Sequence, residues 1–146
     1  MARFPPSAIG SAEETEARFY EALQQADLER LMSAWADDDA VVCVHPGWPR
    51  LVGLAAIRAS FERIFGHGPV DVWPERTRRL QIGSTAVHSV VERVGVLTAQ
   101  GLRSVHVDAT NVFVNTALGW RLVAHHASPS TAGEPAEAAP PSSAIH

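Results

Sequence analysis

The chain has 146 residues, a net charge of −4, 46% apolar and 19% charged residues. That is the size and balance of one globular domain with its own core, and it offers no basic surface for nucleic acid or anionic membrane. All 12 basic residues are arginine, which excludes a Schiff-base lysine and a phosphate-loop lysine.

The single cysteine, Cys43, lies between valines and reads as a small buried hydrophobe. Residues 1–10 carry two prolines and a glycine and read as a flexible arm, without the apolar run of a signal peptide. No stretch is apolar for long enough to span a bilayer. These features predict a cytoplasmic protein with no membrane and no nucleic-acid partner.

Ser11 followed by Glu14 has the spacing of a capping box and predicts a helix over 12–26, with Phe19, Ala22 and Leu23 on its apolar stripe and Glu16 largely off it. Asp27 starts a second short helix with Leu28, Leu31, Met32 and Trp35 at helical spacing. Asp37, Asp38 and Asp39 read as an exposed turn, and no metal is assigned to them. A β-prone run from Ala40 to His45 is broken at Pro46-Gly47-Trp48-Pro49. Gly53 then opens a third helix over 54–65, whose apolar face includes Ile57 and Phe61.

The rest reads as an antiparallel meander. Residues 70–82 form one strand or two, with Pro74 at a break or an edge. Strands over 85–99 and 103–116 follow, and the last begins at Trp120 and ends in Ala124-His125-His126-Ala127-Ser128-Pro129. Residues 11–129 therefore form one α+β domain, with helices covering one face of a curved sheet. Residues 130–146 have the composition of a disordered tail.

Successive strand side chains point to opposite faces, so only one of His125 and His126 faces inward. Trp120, Leu122, Ala124, His126 and Ser128 share the more apolar face, and Arg121 marks the other as wetter. This alternation puts His126 inside. In the preceding strand Val105, Val107, Ala109, Asn111 and Phe113 form the apolar face, which puts Asn111 inside and Asp108 outside. In the inverted assignment Asp108 is the best general base of the chain. One of Glu92 and Arg93 faces in. His45 shares a face with Val41 and Cys43, and Trp48 after it supplies a flat apolar wall.

The order of elements, Gly53 opening a helix after a strand, and the ending Gly-Trp-Arg-Leu-Val-Ala-His-His-Ala-Ser resemble the NTF2-like superfamily, in particular its SnoaL-like and DUF4440-type members. The resemblance implies a cone-shaped α+β barrel with a pocket between helices and sheet, commonly paired through the sheet as a homodimer. Ketosteroid isomerases of this superfamily use a cavity tyrosine and two aspartates. Here the only tyrosine, Tyr20, lies in the first helix, and no aspartate pair matches. Limonene-epoxide hydrolases use an Asp-Arg-Asp cluster, of which Asp108 and Arg121 supply parts without alignable positions. For the acid–base aspartate of SnoaL-type cyclases, Asp108 is the nearest strand counterpart.

Two functions are therefore expected. In the first, a pocket enzyme performs isomerase, cyclase or hydrolase chemistry on a small apolar molecule. His126, His45 and Asp108 are its catalytic candidates, Asn111 its hydrogen-bonding group, and Trp48, Trp35 and Phe61 its apolar lining. No cofactor is expected. The alternative is a non-catalytic ligand-binding or dimerisation module in which the same polar groups only anchor, and Trp35 and Phe61 are plain core.

Overall fold

The computed structural model describes residues 10–130. The expected arm and tail lie, apart from Gly10 and Ser130, outside the described residues. The elements run α1 (Ala12–Gln25), α2 (Leu28–Ser33), β1 (Val42–Val44), β2 (Leu51–Val52), α3 (Leu54–Phe65), β3 (Val72–Ile82), β4 (Thr85–Thr98), β5 (Gly101–Thr116) and β6 (Gly119–Pro129). Ser11 Oγ accepts from the Glu14 N–H at 3.1 Å and Asp27 Oδ1 from the Arg30 N–H at 3.1 Å. Each satisfies an orphan donor at a helix start, worth about 1 kcal/mol.

The sheet is six-stranded in the order β2-β1-β6-β5-β4-β3. All pairings are antiparallel except that of β1 with β6. The sheet is curved but open, with β2 and β3 as edges, and not a closed barrel. Pro74 has no N–H to give and sits in an edge strand, where none is needed. The doubt between one strand and two over 70–82 resolves into a single strand with a register shift between Glu75 and Arg78.

The helices pack on the concave face. Phe19, Tyr20 and Leu23 of α1 are buried with Leu31, Ile57, Phe61, Phe113 and Leu122. Phe19 is at the centre, edge-on to Tyr20, Trp35 and Phe61 with centroids 5.2, 6.4 and 6.2 Å away. Glu16 is only 5% exposed and lies on this buried face, not off it. It can be there because polar partners wait on the sheet.

Two registers position those partners. The β4–β5 hairpin sets His88 opposite Asn111 and Glu92 opposite Val107, so Ala86, His88, Val90 and Glu92 all face the core. Between β5 and β6 the pairing steps from Phe113–Leu122 to Val112–Ala124. Val123 is thus one extra residue in β6, a β-bulge. Trp120 and Leu122 face inward before it, and His125 and Ala127 after it. Unbroken alternation from Trp120 predicted His126 inside. The bulge reverses the phase, so His125 is buried and His126 is exposed.

Candidate functional site

A cavity of about 550 Å³ opens between the helices and the concave sheet. Phe19, Leu23, Trp48, Phe61, Ile64 and the inward valines of β3–β5 make it mostly apolar; His45, Glu92 and His125 are its buried polar groups, and the half-buried His106 and Ser130 also line it. Trp48 is held from both sides: its ring meets His45 edge-on at 5.0 Å and carries the Arg63 guanidinium 5.2 Å from its centroid.

Behind the wall runs a buried polar chain joining α1 to β4, β5 and β6. Asn111 Nδ2 donates to Glu16 Oε2 at 3.0 Å and to the Tyr20 hydroxyl oxygen at 3.1 Å. The Tyr20 O–H donates to Glu92 Oε2 at 2.7 Å. Asn111 Oδ1 lies 2.5 Å from His125 Nδ1. His88 Nδ1 is 3.0 Å from Glu16 Oε2 without the alignment of a hydrogen bond, and its Nε2 is 3.5 Å from Glu13 Oε1.

These contacts assign protons. The Asn111 amide faces a carboxylate oxygen with its NH2 end, so its carbonyl oxygen faces His125 and must be offered a proton. His125 therefore carries its proton on Nδ1 and leaves Nε2 as a lone pair at the cavity. His45 has the other tautomer. Ser60 gives its own proton to the Ile57 carbonyl at 2.6 Å, so at 2.8 Å Ser60 Oγ accepts from His45 Nε2, which leaves Nδ1 of His45 unprotonated.

Burial then sets the charge states. It lowers His45 to about 4 and His125, with further repulsion from His45 and His126, to about 3, so both rings are neutral at pH 7. Burial raises Glu92 to about 7. The Tyr20 hydrogen bond opposes that rise and the Glu16 charge adds to it. A carboxyl near half-protonation at neutral pH can both give and take a proton. The Tyr20 hydroxyl is pushed well above 10 by burial and by the Glu92 charge, and stays a donor.

The structure separates the expected site residues into three groups. His45, Trp48 and Phe61 line the cavity. Asn111 is fully buried but stands behind His125, holding it rather than reaching the cavity. His126, Asp108 and Trp35 are not part of it. His126 and Asp108 are exposed on the opposite sheet face, because of the bulge in the first case and regular alternation in the second. Trp35 is 3% exposed and packs in the core, bridged to Leu122. Glu92, His125, Tyr20, Glu16 and His88 take the vacated roles. Their signal in the sequence was the hairpin itself: either turn position at Gln100 keeps the parity that puts His88 and Glu92 on the face of Asn111. Among the described residues no group of three His, Cys, Asp or Glu is arranged to hold a metal ion, and no helix is long and apolar enough to cross a membrane.

Helices laid over a curved six-stranded sheet, with a pocket in the concave face, define an NTF2-like protein with the cystatin-like fold. Within that class the chain belongs to the SnoaL-like domain family, whose model matches residues 12–132. It is similar to an NTF2-like family protein from Streptomyces avermitilis, provisionally named a dehydratase, with 32% identity over 82% of this chain and 94% of that one and a TM-score of 0.74. It is equally similar to a provisionally named calcium/calmodulin-dependent protein kinase type II association domain from Thiobacillus denitrificans, with 32% identity over 86% and 99% of the two chains and a TM-score of 0.76. An NTF2-like protein from Novosphingobium aromaticivorans shares the fold at 21% identity, over 82% and 80% of the chains, with a TM-score of 0.69. No curated protein matches the sequence.

Proposed function

We propose that the chain is a pocket enzyme acting by proton transfer on a small, uncharged, largely apolar molecule that carries a hydroxyl or carbonyl group. The single observation that carries this reading is Glu92: 6% exposed, on the cavity wall, hydrogen-bonded by Tyr20 and held at about 7. A carboxylate at this position removes a proton from a carbon beside a carbonyl and returns it either to another carbon, an isomerisation, or to a departing hydroxyl, a dehydration. The Nε2 lone pair of His125 accepts from a substrate hydroxyl and so orients it. Apolar walls keep water away and keep Glu92 tunable. The dehydratase name of the 32% identical relative supports the elimination branch.

The test is a thermal-shift and NMR screen with hydroxy-ketones, lactones, epoxides, steroids and polyketide-like ketones, followed by turnover assays of the hits. Glu92→Gln should retain binding and lose turnover, and the wild-type rate should titrate with an apparent pKa near 7. Saturable turnover that survives Glu92→Gln would sink the assignment.

A second reading, assembly without catalysis, is favoured by a different observation. Leu97 and Leu102 face each other across the β4–β5 hairpin and are 85% and 67% exposed, and a relative of equal identity is named as an association domain. On this reading the chain forms a homodimer through the sheet. Light scattering on Leu97→Glu/Leu102→Arg, expected to be monomeric where the wild type is not, tests it. The two readings are compatible, since the pocket opens on the concave face.

A further inference from the structure

A second cleft, of about 370 Å³, shares no residue with the first. It lies between the start of α1 and the β5–β6 turn, and Arg18, Arg30 and Arg121 converge on it. The Nε–H of Arg18 is buried and meets no acceptor among the described residues. Burial and the repulsion of Arg121 and Arg30 press the Arg18 guanidinium toward its neutral form, the signature of a cation held among like charges. Arg30 is answered by Glu21 at 3.1 Å, and Arg121 gives Nη1 to the Trp120 carbonyl at 3.0 Å. Among the described residues Glu14 is the only carboxylate in the lining, so these residues set three guanidiniums against one lining carboxylate. Thr15 is not that acceptor: its hydroxyl donates to the Trp120 carbonyl at 2.8 Å, and no hydrogen bond joins its oxygen to the Arg18 Nε–H.

Folding gains nothing from gathering these charges, and a buried donor without an acceptor is costly. We propose that this cleft binds a compact oxoanion, a phosphate group, between Arg18, Arg30 and Arg121. An oxoanion removes the mutual repulsion, and its several oxygens match the planar forks of guanidinium, which a lysine would not. Leu118, 76% exposed, and Trp120 border the same cleft. They offer apolar surface to an organic part joined to the phosphate, so a small phosphate ester fits as well as the free ion. The site is independent of the acid–base pocket and stands or falls separately from it.

The experiment uses the full chain, titrated with inorganic phosphate and, in a second arm, with phenyl phosphate, and follows amide and arginine Nε–H resonances at constant ionic strength. Saturable shifts should centre on Arg18, Thr15 and Gly119, and Arg18→Ala should weaken binding by about tenfold, as for loss of a charge-assisted hydrogen bond. Arg18→Lys, which keeps the charge and the packing of the stem, should recover only part of that affinity. Arg50→Ala, an exposed arginine elsewhere, should bind like the wild type. Tighter binding of the ester than of the free ion assigns a role to Leu118 and Trp120, and equal binding assigns the site to the oxoanion alone. Absence of saturation in both arms overturns the proposal. So do equal losses in Arg18→Ala and Arg50→Ala, which would mark a general charge effect.

Discussion

His125 donates its Nδ1 proton to the Asn111 carbonyl oxygen at 2.5 Å, while His45, across the β1–β6 pairing, donates from Nε2 to Ser60 at 2.8 Å. Two neutral imidazoles at one cavity therefore have opposite tautomers. Long-range 1H–15N correlation spectra at pH 7 should show His125 as Nδ1–H, the rarer neutral tautomer, and His45 as the common Nε2–H form, the two assigned by Asn111→Leu and Ser60→Ala. Asn111→Leu should also cost about 1–3 kcal/mol in denaturant unfolding, because Tyr20, Glu16 and His125 lose a buried partner together.

Adjacent residues of β6 should behave as opposites. His126→Ala and Asp108→Ala, both on the exposed face, should change stability by no more than about 0.5 kcal/mol and leave ligand binding intact. His125→Ala should cost about 1–3 kcal/mol, since it empties a buried site and strands the Asn111 carbonyl. A large loss in His126→Ala with none in His125→Ala would refute the bulged register of β6.

Stability should bend with pH in two directions. Glu92 is raised from 4.5 to about 7 in the folded state, so its contribution is full below pH 4.5 and is lost as pH climbs toward 7. Glu92→Gln abolishes that loss. Relative to wild type it should gain roughly 2–4 kcal/mol between these limits, measured by urea unfolding at several pH values. His45 and His125 are depressed from 6.5 to about 4 and about 3, so their contributions are present above pH 6.5 and are lost as pH falls through those values. Acid unfolding should therefore take up protons at two histidines, and His45→Gln should shift its midpoint to lower pH.

Cys43 is fully buried in β1, and burial pushes its thiol up to about 12. The native protein should not react with a disulfide reagent at pH 8, and one thiol should appear on adding denaturant. Rapid native labelling would mean that β1 detaches from β6.

Much of the frame was legible in the sequence. Ser11 and Asp27 announce two helix starts with mechanisms of their own, Pro74 announces a break or an edge, of which the structure shows the edge, and the period-2 pattern around Asn111 marks the inward face of β5. The site was harder, for identifiable reasons. A β-bulge has no residue signature in Val123, yet it shifts the phase of every side chain after it, so unbroken alternation places His126 inside where the structure has His125. Glu16 and Tyr20 sit one turn apart on α1 and were masked by the helix's abundance of glutamates. A charged residue on a buried stripe declares itself only once the residues facing it are known, here His88 and Asn111, six and seven elements further along the chain. Asp108 attracted attention as the carboxylate centred in β5, although alternation alone already set it outside.

The extra residue at Val123 also bears on how such pockets diversify. Pairing it into the ladder, with no residue lost, would carry every later side chain across the sheet, bring His126 to the concave face in place of His125 and detach the ring from Asn111, with no polar side chain of the cavity replaced. Deleting Val123 outright would instead leave Leu122 opposite Phe113, Ala124 opposite Val112 and His125 opposite Asn111, so the held, neutral imidazole would stay inside. In aligning relatives of this chain, a gap at the Val123 column therefore keeps the same ring inside, whereas a residue there that joins the ladder turns the other ring inward, and identity at the two histidine columns does not mean that the same ring faces the cavity.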